Sequence, residues 1–402
     1  MKFLIPFTKF QGLGNDFVII DARELARDGV GFELLCDWPR QAGRLARYLC
    51  DRNFGIGADG LILALPIKSE NYDCVDRHPE VKSNRAASST ASGRFRKLSK
   101  AGPEFPRRHD REDSAPSAEC FKQIEEAVAG IVSAYPDAEG CDLGWVYTNS
   151  DGSEASMCGN GLRSLALWTA NHIERPDSAF TIATARGPVT ARVDSEDQIE
   201  VNIGKPVLES SSIPVSGPVR SPVVSEKLEL SGSKKTVTLT AVGMGNPHAV
   251  VFGAFDSEID SVYQEFEQRD RPGATFFPFA LQEVAEQIQQ HELFPEGVNV
   301  EFVRKRSENA VDVLVYERGC GATLACASGA CAVVVAGVLE GLLSREASVR
   351  LPGGQLTIAW DEASDTISMR GAAREVFSGV VWINLEKIED DGGSRRIAVS
   401  NA

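Results

Sequence analysis

Met157-Cys-Gly-Asn-Gly-Leu-Arg163 and Ala325-Cys-Ala-Ser-Gly-Ala330 are two versions of one statement. In each, a cysteine stands before a short run of small residues that opens an apolar segment. Cys158 and Cys326 are 168 positions apart, and Gly187-Pro-Val-Thr190 recurs as Gly354-Gln-Leu-Thr357 at an offset of 167, as does Gly204 in Gly371. Upstream the offset is larger. Gly12-Leu-Gly-Asn15 recurs as Gly243-Met-Gly-Asn246 at 231, and Phe54-x-x-Gly57-x-Asp59 as Phe294-x-x-Gly297-x-Asn299 at 240. Matches in one order with a single change of offset read as an internal duplication.

The fall in offset places an insertion of 63 to 72 residues between Asp59 and Asn149. Composition points to the same interval. The chain of 402 residues has 42 Lys and Arg against 57 Asp and Glu, a net charge of −15, yet 77–113 carries ten basic and five acidic residues. The segment reads as an exposed, low-complexity basic loop (77–117) inside an insertion at about 67–144. Apolar residues at helical spacing predict one helix over Glu119–Tyr135. An acidic chain of ordinary globular composition is not a nucleic-acid binder by charge, and the basic loop has few aromatics. No apolar run is long enough to span a membrane. Nine cysteines at irregular spacing, without Cys-x-x-Cys, fit a reducing cytoplasm and neither a disulfide framework nor a metal site.

Short runs rich in β-branched residues predict strands at 16–20, 61–65, 180–185, 189–193 and 199–203 in the first half. The second half adds 236–242, 249–252, 298–303, 311–316, 348–351, 355–360 and 366–369. Leu351-Pro-Gly-Gly-Gln355 reads as a hairpin turn, and 209–235, rich in Ser, Pro and Val, as the crossover between halves. One helix is predicted from Gly159 to His172, another from Ala327 to about Leu343; the second is apolar on nearly every side and hence buried. The expected class is α/β (α+β), with each half a strand-rich, barrel-like sheet around a central buried helix. The duplication divides the chain into two halves at about 207/208.

A helix N-terminus has unpaired N–H groups and partial positive charge, so it attracts an anion and should favour a thiolate. Two such termini meeting at a pseudo-twofold axis would aim at one carboxylate, with Cys158 and Cys326 on opposite sides of the carbon beside it. That arrangement suits stereoinversion: one sulfur removes a proton and the other returns one to the opposite face. Glu317 precedes Cys326 by nine residues, as Asn149 precedes Cys158, and Arg318 could take a carboxylate in a bidentate fork. His248, in Gly-Asn-Pro-His, is either an orienting residue for a thiol or a structural imidazole.

These residues resemble a known family. Gln11-Gly-Leu-Gly-Asn-Asp-Phe17, Gly55-Ile-Gly-Ala-Asp-Gly60, Asn149-Ser-Asp-Gly-Ser-Glu154, Met157–Arg163, Gly245-Asn-Pro-His248, Phe294-Pro-Glu-Gly-Val-Asn299, Glu317-Arg-Gly319 and Leu351-Pro-Gly-Gly354 are similar to the motifs of diaminopimelate epimerases. The resemblance implies a cofactor-independent epimerase interconverting LL- and meso-diaminopimelate in lysine and peptidoglycan precursor biosynthesis. It implies two similar domains around a cleft, a homodimer, and a C-terminal segment at 375–384 that returns to the first domain, so that 1–207 plus 375–402 form the first domain and 208–374 the second. By resemblance Cys158 and Cys326 are the two bases, and Asn15, Asn149, Asn246, Asn299, Glu317 and Arg318 bind substrate. The backbone of Gly159, Asn160, Ala327 and Ser328 would hold the reacting carboxylate. Ala327 stands where the family has glycine. An epimerase of another amino acid, and a non-catalytic ligand-binding protein of the same fold, are the alternative readings.

Overall fold

The computed structural model describes residues 2–26, 29–67, 118–155, 157–173, 179–230, 235–268, 277–384 and 388; the basic loop at 77–117 lies outside them. The first half of the chain runs β1 (Lys2–Gly12), β2 (Asn15–Asp21), α1 (Ala22–Leu25), α2 (Gly29–Cys36), α3 (Trp38–Leu49), β3 (Gly60–Pro66), α4 (Ala118–Val132), β4 (Leu143–Asn149), α5 (Gly159–His172), β5 (Ala179–Thr184), β6 (Gly187–Ser195) and β7 (Gln198–Asn202). The second half runs β8 (Val223–Leu230), β9 (Lys235–Gly243), β10 (Pro247–Phe252), α6 (Asp256–Gln268), α7 (Phe279–Gln289), β11 (Asn299–Ser307), β12 (Ala310–Glu317), β13 (Gly321–Thr323), α8 (Ala327–Leu339), β14 (Glu346–Leu351), β15 (Gly354–Trp360), β16 (Ile367–Gly371) and β17 (Arg374–Asn384).

The strand pairings are written twice. From β1 to β7 consecutive neighbours pair antiparallel, parallel, antiparallel, parallel, antiparallel, antiparallel. The series β9, β10, β11, β12, β14, β15, β16 repeats that order. β7 and β16 pair antiparallel and join the two series into one sheet. The exchange at the ends is reciprocal. After β7 the chain crosses over and β8 pairs with β9; after β16 it crosses back and β17 pairs with β1. The strand order is therefore palindromic about the β7–β16 pair, where the pseudo-twofold axis passes.

A parallel step needs a crossover, and these crossovers supply the helices. Between β2 and β3, and again between β10 and β11, the helices cover the outside of the sheet. Between β4 and β5, and between β12 and β14, the crossover helices α5 and α8 run inside. This explains the burial patterns. β3 is buried along its whole length, since α1 and α3 cover one face and α5 the other. β6 has one wet face and alternates, with Val189 and Ala191 inward and Thr190 and Arg192 outward. On α3, Ala42, Leu45, Ala46 and Leu49 make the inward stripe. α8 is enclosed by β9, β10, β11, β14, β15 and β16, and every residue from Gly329 to Gly337 is buried.

The cores follow. One apolar cluster contains both inner helices and crosses from one half to the other, uniting Leu162, Leu165 and Trp145 with Val333, Val334 and Val313. Two separate clusters lie under the outer helices of each half. The predicted helix at 119–135 is α4. The second inner helix stops at Leu339, four residues earlier than its sequence suggests, with the Glu340 N–H returning to Ala336. The crossover at 209–235 contains an element of its own, β8, which the Ser and Pro content of the segment conceals.

Candidate active site

Cys158 and Cys326 are the N-caps of α5 and α8, both in extended conformation. Each sulfur takes the place of a capping oxygen. Cys158 Sγ accepts from the Gly161 N–H at 3.4 Å, and Cys326 Sγ from the Gly329 N–H at 3.4 Å. Ser328 Oγ lies 3.4 Å from the Cys326 sulfur.

The two helix starts abut. A Cβ placed on Gly159 would stand 2.8 Å from Ala327 Cβ and 2.6 Å from Met369 Cε. The Ala327 methyl thus faces the partner helix, and the absence of a side chain at Gly159 makes room for it. Asn160 Nδ2 donates across the junction to the Ala325 carbonyl at 3.4 Å, and to Asn15 Oδ1 at 3.3 Å. Its Oδ1 accepts from the buried Arg163 at 2.7 Å.

Three adjacent strand ends in each half carry the remaining polar candidates. In the first half these are the start of β2 (Asn15), the start of β3 behind Asp59, and the end of β4 (Asn149). Asn15 Nδ2 donates to Asp59 Oδ2 at 2.5 Å, and Asn149 Nδ2 to Ser153 Oγ at 2.9 Å. In the second half they are Asn246 just before β10, Asn299 at the start of β11 and Glu317 at the end of β12. Asn299 donates to the Pro247 carbonyl at 3.0 Å and accepts from the Arg318 N–H at 2.9 Å. Glu317 Oε1 accepts from Thr323 Oγ1 at 2.6 Å. Arg318 is exposed, and its guanidinium donates to the Glu296 carbonyl at 2.7 Å. His248 is fully buried between Glu301 and Asn246, which makes it an anchored imidazole.

The electrostatics correct one expectation. The helix termini do not bring the thiols down. Burial pushes Cys158 up to about 11; the Gly161 N–H, the Tyr147 hydroxyl and Arg163 pull against it, and Glu317 adds to it. Burial likewise raises Cys326 well above the usual thiol range, with Glu317 and Glu301 raising it further against Ser328 and the Gly329 N–H. Desolvation of an anion outweighs two hydrogen bonds and a helix dipole, which is worth at most about 2 kcal/mol. Burial raises Glu317 as well. Because Glu317 acts on both sulfurs, the two thiols belong to one electrostatic site.

Sequence patterns missed five residues here: Tyr147, Asp59, Arg163, Glu301 and Thr323. Arg163 and Glu301 carried a signal, since each is a charge inside an otherwise apolar element. Tyr147 and Thr323 carried none, because both residue types are ordinary in strands, whereas Asp59 is the counterpart of Asn299 in the duplicated motif.

A family model described as diaminopimelate epimerase matches residues 121–209 and 240–376. The chain is 32% identical over 380 residues to a diaminopimelate epimerase of Acaryochloris marina, covering 94% of this chain and 98% of that one. It is 34% identical over 382 residues to one of Desulforudis audaxviator, covering 94% and 99%. A chloroplastic relative from Oryza sativa subsp. japonica is 32% identical over 379 residues, covering 93% and 79%. Among solved structures, a hydroxyproline epimerase from Agrobacterium vitis aligns with a TM-score of 0.52 at 13% identity, over 96% of this chain and 95% of that one, which speaks to the fold alone. Sequence identity sustained over nearly the whole length, on a duplicated fold with a cysteine at the head of each inner helix, places this chain in the diaminopimelate epimerase family, and the protein is an isomerase.

Proposed function

We propose that the protein interconverts LL- and meso-diaminopimelate, in the synthesis of lysine and peptidoglycan precursors, by a two-base mechanism at Cys158 and Cys326. The observation that carries this reading is the abutment of two matched helix starts, each capped by a sulfur. The substrate α-carboxylate would lie against the N–H groups of Gly159, Asn160, Ala327 and Ser328, whose partial charges stabilise the negative charge that develops when the α-proton leaves. One thiolate takes that proton, and the opposite thiol protonates the other face. The α-ammonium of the substrate adds positive charge beside the sulfurs, which lowers their pKa further in the complex. Asn15, Asn149, Asn246, Asn299, Glu317 and Arg318 would contact the remaining polar groups of the substrate.

We further propose the division into 1–207 plus 375–402 and 208–374, a cytoplasmic setting and a homodimer. The reciprocal exchange of β8 and β17 supports the division. The free cysteines support a reducing compartment. Val380 and Trp382, exposed on one face of β17, support a second copy as the covering partner. Among the described residues no helix is long and apolar enough to cross a membrane.

The test is exchange in deuterated water with purified protein and LL-diaminopimelate. Deuterium entering the α-position with inversion is the expected result. Exchange with another amino acid but none with diaminopimelate would overturn the substrate assignment. Exchange with neither would favour a binding protein.

A further inference from the structure

Arg163 is a full charge inside the protein. It is fully buried on the inner helix α5, and among the described residues no carboxylate pairs with it. A buried cation without a counter-charge is costly to keep. Its Nη1 donates to Met369 Sδ at 3.1 Å, its Nε to the Ala372 carbonyl at 3.5 Å, and its Nη2 to Asn160 Oδ1 at 2.7 Å. Met369 belongs to β16 and Ala372 follows that strand, so the second half holds one side of the guanidinium and Asn160 the other.

Asn160 carries that bond across the joint between the halves. Its Nδ2 lies 3.4 Å from the carbonyl of Ala325, the residue before the Cys326 cap, and 3.3 Å from Asn15 Oδ1 at the start of β2. The direction of the amide follows from neighbours that have one role each. A guanidinium only donates and a backbone carbonyl only accepts, so the Asn160 oxygen faces Arg163 and its NH2 faces Ala325. Asn15 then turns its oxygen to Asn160 and its own NH2 to Asp59 Oδ2, 2.5 Å away. The bond to Arg163 is short and the two that reach Asn15 and Ala325 are long, so the arginine is the anchor and the other two groups are what is held. At the offset of 168 that relates Cys158 to Cys326, Arg163 corresponds to Cys331 and Asn160 to Ser328. The second inner helix therefore has no such pair, and one clasp serves both helix starts.

We infer that Arg163 is a positioning residue: it anchors the Asn160 side-chain amide, whose NH2 clasps Asn15 and the Ala325 carbonyl and so holds the head of α8, with Cys326, at a fixed spacing from Cys158. This rests on the reading of the two helix starts as one active site, and it gives the Asn160 side chain a task besides that of its backbone N–H.

The experiment compares Arg163→Met, Arg163→Lys, Asn160→Ala and the double variant R163M/N160A with the unaltered chain. In ligand-free protein labelled with 15N-asparagine, the Asn160 side-chain NH2, assigned by its loss in N160A, should exchange slowly with water. In R163M it should exchange about tenfold faster or more, and in R163K, whose ammonium can still donate, at a rate between the two. The kcat for diaminopimelate should fall about tenfold in R163M and in N160A, but no more than about twofold further when the two are combined, because the same clasp is lost once. An arginine that merely supported the core would give losses that multiply. If R163M does not fold, R163K against N160A provides the same cycle. An Asn160 NH2 that exchanges in R163M or R163K as in the unaltered chain, or losses that multiply in the double variant, would overturn the assignment. The exchange measurement needs no substrate: protection by Arg163 without turnover of diaminopimelate would sink the substrate assignment and leave the clasp standing.

Discussion

At Cys158 and Cys326, desolvation and hydrogen bonding pull in opposite directions. A thiol that caps a helix is prepared to become an anion, and one withdrawn from water resists it; here desolvation wins, at the buried Cys326 and the half-buried Cys158 alike. Without ligand, alkylation of Cys158 should therefore be slow at neutral pH. It should accelerate roughly tenfold per pH unit, levelling off near pH 11, the value to which burial raises this thiol. Mass spectrometry of the labelled peptide against pH measures this, and a plateau below pH 8 would contradict the desolvated site. Cys158→Ala and Cys326→Ala should each lower turnover by at least about a thousandfold while leaving the thermal midpoint within a few degrees. The cysteines were legible because the duplication wrote them twice. Glu301 and Arg163 were written once, and their roles depend on neighbours 53 and 206 residues distant.

At the level of elements, the two inner helices are set by the small contact between Gly159 and Ala327. Gly159→Ala would force two methyl groups to within 2.8 Å, so α5 and α8 must part. We expect a loss of about 1–3 kcal/mol in stability and a larger loss in turnover, since both sulfurs move with their helices. Ala327→Gly in the same chain should recover part of both, which urea titration and initial rates would show; strictly additive effects would mean that the two positions do not share this contact. Leu165→Ala, in the core joining the halves, should cost about 2–5 kcal/mol. Val333-Val-Val335 alone prefers strand, but the apolar run of α8 is too long for one strand and reads as a buried helix. It is helical because the crossover from β12 to β14 must pass through the inside of the sheet, where a helix satisfies its own backbone groups.

For the whole molecule, the reciprocal exchange of β8 and β17 makes each half depend on the other. Removing residues 374–402 should leave β1 paired with β2 alone, over Thr8–Gly12, and cause a cooperative loss of structure well beyond the first half, measurable by circular dichroism and proteolysis. Alkali should act on the whole fold. Burial raises Cys50 and Cys331 from the ordinary 9.0 to about 12, and Cys158 to about 11. A group that keeps its proton longer when folded contributes stability that is full below pH 9 and is lost as pH climbs towards its folded value. Arg163, lowered by burial to about 10, works the other way above that pH. With Cys50, Cys158, Cys326 and Cys331 raised against Arg163 and Arg186 lowered, the midpoint of unfolding should fall between about pH 9 and pH 11, and Cys50→Ala should flatten the fall. The amino-acid sequence alone determined the duplication, the insertion, most of the strands, both inner helices and the cysteine that heads each, because repetition and local periodicity are properties of neighbours along the chain. The folded molecule alone decided that β8 and β17 change sides, that the sulfurs resist ionisation, and that the buried His248 lies between Glu301 and Asn246. Those outcomes depend on which groups exclude water from one another, and that is fixed only when segments hundreds of residues apart are packed together.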